Sequence, residues 1–264
     1  MSGTAPERHP RHVVAVTGIV TDGGAMDAYV AGLQGVFADS LVGVYLYGSV
    51  AWGAYDPAVS DVDVAVVHRS DLTSGQRRSL AGLHQDFGRR HPAASGLDVS
   101  FVPLRLVGTY GEDTLPFYRD GRFHQHGGGD VNMVMWHTLN ERGIVVWGPP
   151  ADLVPSVDGE KLAENMRRNF TFLSRRMPAY VGSGTEDQVF GVLCLCRSLH
   201  TLRTREIADK ASAARWALGE VEPRWRPLVA RALTRYENGD LSGSDPLLEK
   251  ESEAFAAHLR EVAG

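Results

Sequence analysis

Two short stretches carry residues able to hold a divalent cation beside a polyphosphate. Tyr47-Gly48-Ser49 is followed, after eleven intervening residues, by Asp61-Val62-Asp63. If Asp61 to Val67 forms a strand, side chains two apart share a face, so Asp61 and Asp63 sit side by side while Val62 points into the opposite layer. Two such anions repel unless a cation joins them. Mg²⁺ takes hard oxygen ligands, commonly one or two carboxylates with phosphate oxygens and water, which suits this pair and a triphosphate. Gly48 would let the backbone approach a phosphate without a side chain in the way, and Ser49 adds a hydroxyl donor.

A third carboxylate commonly helps hold such a metal or takes the proton of an attacking hydroxyl. Asp98, near the start of the apolar stretch Leu97 to Leu104, is the best placed, because a neighbouring strand would bring it to the face of Asp61 and Asp63. Asp98 is therefore expected as general base and as part of the metal site with Asp61 and Asp63. Glu112, Asp113 and Asp130 are weaker choices on expected loops. The His124, His126 and Asp130 group lacks the spacing and fourth ligand of a zinc site and is expected to lie on a flexible loop.

The elements that must position these residues follow from periodicity. Met26, Val30, Leu33 and Phe37 recur at helical steps. Strands are expected at Val42–Tyr47, Val62–Val67, Leu97–Leu104 and Ile144–Trp147, with helices at Thr73–Arg90 and Val131–Arg142. The Gly-, His- and aromatic-rich segment Gly108–Gly129 is expected to be a loop bordering the site. After Gly148-Pro149-Pro150 the pattern turns wholly helical: Gly159–Met177, Asp187–Arg203, Lys210–Leu218, Arg224–Asn238 and Leu247–Val262. The expected architecture is thus an α/β (α+β) domain with a mixed sheet over residues 1–150, followed by an all-α helical bundle over 151–264. The polar stretch Met1–His12 is expected to be a frayed arm.

Composition narrows the partners. The chain has 264 residues, 27 Lys plus Arg against 32 Asp plus Glu, and a formal charge of -5. That balance offers no broad cationic surface for a nucleic-acid backbone. No apolar run reaches the roughly 20 residues of a membrane span. Cys194 and Cys196 fall in an apolar run and are expected as buried thiols, which with the lack of a secretory signal points to the cytoplasm.

Gly48-Ser49 with Asp61-x-Asp63 between apolar runs resembles the signature of the DNA polymerase β-like nucleotidyltransferase superfamily. A closer resemblance lies in the second half. Asp187, Arg197, the stretch Ala208-Asp209-Lys210-Ala211-Ser212 with the following residues to Leu218, Trp225-Arg226-Pro227-Leu228, and Tyr236 are similar to the aminoglycoside adenylyltransferases that modify streptomycin and spectinomycin. The resemblance implies Mg²⁺ as cofactor, ATP as cosubstrate, transfer of AMP to a hydroxyl of a cationic small molecule, and a monomer. It implies that Gly48, Ser49, Arg197, Lys210 and Tyr236 contact the nucleotide and that Asp187 binds an amine of the acceptor. It also implies an acidic base at the strand of Asp98, where the family has glutamate. Tyr180 and Trp136 are candidate aromatic walls for the acceptor. Family members that accept streptomycin carry a tryptophan and an acid in the segment Met177–Thr185, which here holds Tyr180 and no acid; Phe190 stands where a polar residue is expected. Transfer to another small-molecule or protein hydroxyl, and a nucleotide-binding module without turnover, stay open as alternatives.

Overall fold

The computed structural model describes residues 23–57, 59–111, 114–127 and 129–263. The arm Met1–His12 and the acids Glu112 and Asp113 lie outside the described residues. In chain order, α1 (Gly23–Phe37) leads into β1 (Leu41–Leu46), the short α2 (Gly48–Trp52), β2 (Val62–His68), α3 (Ser74–Arg90) and β3 (Leu97–Pro103). A hairpin of β4 (Phe117–Arg119) and β5 (Arg122–His124) follows, then α4 (Met133–Arg142) and β6 (Ile144–Trp147).

These strands make one sheet in the order β5-β4-β3-β2-β1-β6. β2 and β3 run parallel, joined by the crossover helix α3, whereas the β1–β2, β1–β6, β3–β4 and β4–β5 pairs are antiparallel. The sheet is mixed, as the sequence leads one to expect. β2 is nearly continuous Val and Ala because both of its faces are covered. Val62, Val64 and Val66 pack with Leu33 and Phe37 of α1 and Leu80 and Phe87 of α3. Ala65 and Val67 point the other way, against Met133, Met135 and Trp136 of α4. Asp63 falls on this second face by strand alternation. A reciprocal capping box between Thr73 and Gln76 starts α3, and Asn132 caps α4 by accepting from the Val134 and Met135 amides.

The rest is helical: α5 (Gly159–Ser183), α6 (Thr185–Thr204), α7 (Lys210–Glu220), α8 (Arg226–Glu237) and α9 (Pro246–Ala263). α6 is the central helix, with Val189, Leu193, Cys194 and Cys196 buried among residues of the other four. Both cysteines are free and buried. Leu162 at the start of α5 and Ile207 just before α7 join the core beneath the sheet, so the bundle is seated on the Asp63 face. No described helix is long and apolar enough to cross a membrane.

Three expectations need correction. α5 does not end at Met177 but continues through Pro178 to Ser183. The helix survives the missing donor because Met177 is buried and Tyr180 and Val181 pack against the bundle core, while Gln188 Nε2 donates to the Val181 carbonyl at 2.9 Å. Tyr180 therefore projects from a helix, and Asp187 is the third residue of α6. The segment 108–129 is not simply a loop, since it contains the β4–β5 hairpin. Trp136 is no pocket wall: it is fully buried, and its indole N–H donates to the Thr109 carbonyl. Trp136→Ala should cost about 3–5 kcal/mol of stability, the range for deleting a buried aromatic, measured as a fall in the urea midpoint.

Candidate active site

The antiparallel ladder between β1 and β2 pairs Leu46 with Val64, and the Tyr47 amide donates to the Asp63 carbonyl at 3.0 Å. Chain leaving β1 must therefore pass directly over Asp63. Gly48 does so with φ +61°, and a Cβ there would lie 1.7 Å from Asp63 Oδ2. Glycine is needed on both counts: its left-handed backbone and the carboxylate pressed against it. The parallel register of β2 with β3 sets Asp98 directly beside Asp63. Asp130 completes the group. Its backbone N–H donates to Ser100 Oγ at 3.3 Å, and Ser100 lies two residues beyond Asp98 on the same face of β3. One oxygen from each of Asp63, Asp98 and Asp130 lies within 4.8 Å of the others.

Arg119, the last residue of β4, closes this cluster. Its Nε and Nη2 donate to Asp98 Oδ2 at 2.6 and 2.5 Å, and Nη2 reaches Asp130 Oδ2 at 2.9 Å. Asp98 is only 3% exposed, and its Oδ1 is buried with no hydrogen-bond partner among the described residues. Burial, then the charge of Asp130, raise the Asp98 carboxyl against the pull of Arg119. Asp63 is pushed up to about 7, by burial first and Asp130 next, with Lys210 opposing. Three carboxylates thus stand together with one guanidinium, which touches two of them. This donor set, all oxygen and short of positive charge, fits a divalent cation. The buried Ser49 Oγ also has no hydrogen-bond partner among the described residues, leaving a hydroxyl donor beside Gly48.

Asp61 is not one of the three. It lies exposed just before β2, two residues out from Asp63, and loss of hydration raises its carboxyl while Lys210 is the largest opposing influence. Lys210, the first residue of α7, therefore faces Asp61 and Asp63 from the bundle, with its Nζ 4.5 Å from the centre of the Phe190 ring. Tyr236 of α8 lies close to the side chain of Ser60, next to Asp61, and feels the charge of Arg197. Arg197 and Tyr236 thus stand near one another on the bundle side. Tyr180 meets Phe190 edge-on, ring centres 6.0 Å apart, and lies in the field of Asp187. Asp187 itself lines a cavity of about 240 Å³ with Thr185, Glu186, Leu241 and Gly243.

Residues 37–93 match the family profile of the nucleotidyltransferase domain, and residues 152–261 match that of the aminoglycoside adenylyltransferase C-terminal domain. The chain thus joins a nucleotidyltransferase domain to an aminoglycoside adenylyltransferase C-terminal domain. It is 23% identical over 239 residues to a spectinomycin 9-adenylyltransferase of Campylobacter jejuni, covering 86% of this chain and 89% of that protein. It shares its fold with the crystal structure of spectinomycin adenyltransferase AAD(9) from Enterococcus faecialis with ATP and spectinomycin. That alignment has a TM-score of 0.67 and 15% identity over 91% of this chain and 98% of the other.

Within this adenylyltransferase, sequence reasoning missed Arg119 as a member of the cluster and ranked Asp130 too low. A signal for Arg119 existed. Phe117-Tyr118-Arg119 and Arg122-Phe123 flank Asp120-Gly121, a dipeptide favoured in two-residue hairpins, and both turn residues have positive φ, 52° and 70°. Asp130 offered no comparable signal, because its place depends on the hydroxyl of Ser100.

Gly48→Ala should lose about 1–2 kcal/mol from backbone conformation alone and, by displacing Asp63, nearly all nucleotidyl transfer; urea denaturation and pyrophosphate release measure the two. The raised carboxyls also set a pH dependence. Between the ordinary carboxylate range and pH 7 the folded state binds more protons than the unfolded chain, so metal-free stability falls as pH rises through that window. In chelator, the melting temperature should drop from pH 5 to pH 8, and Asp63→Asn should flatten the slope.

Proposed function

We propose that this chain transfers AMP from ATP to a hydroxyl of a cationic aminocyclitol, with spectinomycin as the foremost acceptor. The observation that carries the proposal is the meeting of Asp63, Asp98 and Asp130 beneath Gly48 and beside a free Ser49 hydroxyl. The match of the bundle to the aminoglycoside adenylyltransferase C-terminal domain supports the acceptor class. The Campylobacter jejuni relative and the Enterococcus faecialis structure are both spectinomycin enzymes by name. The segment Met177–Thr185 carries no acid for a streptomycin guanidinium.

Mg²⁺ would be held by Asp63, Asp98 and Asp130, with Asp61 at the rim of the same face. When bound it supplies charge neutralisation and Lewis acidity at the phosphates. Gly48 and Ser49 receive the triphosphate end through close backbone approach and a hydroxyl donor. Lys210 and Arg197 face the negative charge that grows on the departing pyrophosphate, and Tyr236 contacts the nucleotide. The acceptor oxygen bonds to the α-phosphorus as the bond to pyrophosphate breaks, and its proton passes to Asp98, whose Oδ1 is free while Oδ2 is held by Arg119. A base must carry a raised pKa to work near neutrality, and the burial of Asp98 provides it. Asp187 and Tyr180 offer an anion and a ring face to an acceptor amine. Residues up to about 150 act as the catalytic unit and those from 151 as the unit that closes on the substrates, in a monomer. The buried free thiols are in keeping with a cytoplasmic location.

Incubation with ATP, Mg²⁺ and a panel of aminocyclitols and aminoglycosides, followed by mass spectrometry, should yield adenylylated spectinomycin and unmodified streptomycin. An adduct on neither drug would overturn the acceptor assignment. Asp63→Asn should reduce turnover by more than about 100-fold, the scale of losing one preorganised electrostatic contact, without unfolding the chain.

A further inference from the structure

The strand ladder accounts for Asp63 and Asp98, but the guanidinium between Asp98 and Asp130 comes from elsewhere. Arg119 is delivered by the tight Asp120-Gly121 turn and is backed by an aromatic stack. Its guanidinium carbon lies 5.5 Å from the centre of the Phe117 ring, which stacks on His124 at 4.4 Å. Three donor contacts of 2.5 to 2.9 Å fix it to two carboxylates at once. A guanidinium can bridge two acids in a defined plane, whereas an ammonium supplies a point charge without that constraint.

We infer that Arg119 is a positioning residue that ties Asp98 Oδ2 to Asp130 Oδ2, leaves Asp98 Oδ1 free, and sets how strongly the cluster attracts a divalent cation. Without it, three neighbouring anions would repel one another and Asp98 could rotate, exchanging its two oxygens. With it, the cluster presents less negative charge to an incoming cation but holds its oxygens in one arrangement. Affinity and geometry are thus set by one side chain and can be separated by substitution. The inference rests on the reading that the cluster binds a divalent cation, but not on the identity of the acceptor.

The test titrates Mn²⁺ into the full-length, nucleotide-free protein, followed by electron paramagnetic resonance, and pairs this with AMP-transfer kinetics. Arg119→Met removes both charge and bridge, so Mn²⁺ should bind about three- to tenfold more tightly as the repelling cation is lost. In the same variant kcat should fall at least about tenfold while the acceptor KM stays nearly constant, since misplacing a reacting group costs rate rather than binding. Arg119→Lys keeps the charge and should leave Mn²⁺ affinity near wild type while recovering part of kcat. Unchanged or weaker Mn²⁺ binding by Arg119→Met, or an Arg119→Lys enzyme no faster than Arg119→Met, overturns the inference. Should Arg119→Met not fold, Arg119→Gln decides: Mn²⁺ binding tighter than wild type supports the inference, and unchanged or weaker binding overturns it. If wild-type protein modifies no drug, the Mn²⁺ measurements still stand, so failure of the acceptor assignment is distinguishable from failure here.

Discussion

The structure depends on the mutual repulsion of carboxylates that the sheet forces together. Parallel pairing of β2 with β3 places Asp63 against Asp98, and the anchoring of Asp130 to Ser100 adds a third anion. Like charges in a buried site stay together only if protonated or matched by cations. Here the match is partial, one guanidinium for three acids, with Lys210 approaching from the bundle. The remaining deficit is what the proposed metal-bound polyphosphate would offset, and it sets the site apart from a satisfied structural ion pair.

The same constraint explains why two unlike halves share one face. The sheet supplies anions and the close backbone passage at Gly48, while the bundle supplies Arg197, Lys210 and Tyr236. In the proposed reading neither set suits a nucleotide alone. Contact is maintained by an apolar core in which Leu162 and Ile207 sit under the sheet with Trp136. Burial of Trp136 thus serves the site indirectly, by seating the bundle, and not by touching an acceptor.

Legibility from sequence followed the range of the forces involved. The β2 strand and the facing of Asp63 toward Gly48 were readable because side-chain alternation and a Gly-Ser bend are local signals. Asp98 was readable as a neighbour on an adjoining strand. The mixed sheet followed by a helical bundle was also visible, from the change of period after Pro150. Arg119 was obscured because β4 and β5 span three residues each and are stable only through pairing with β3, a tertiary effect, and Asp130 because its place depends on the Ser100 hydroxyl. α5 was expected to stop before Pro178 because a local rule disfavours proline there, and burial of its neighbours outweighed that rule. Trp136 was misjudged because an aromatic next to a polar segment suits a pocket wall as well as a core.

Anomalous diffraction from crystals grown with Mn²⁺ and a non-hydrolysable ATP analogue tests the central claim most directly. A peak among the oxygens of Asp63, Asp98 and Asp130, with the triphosphate lying against Gly48 and Ser49, is the expected result. Bound nucleotide with the manganese elsewhere, or a triphosphate lying away from the Gly48 bend, would contradict it.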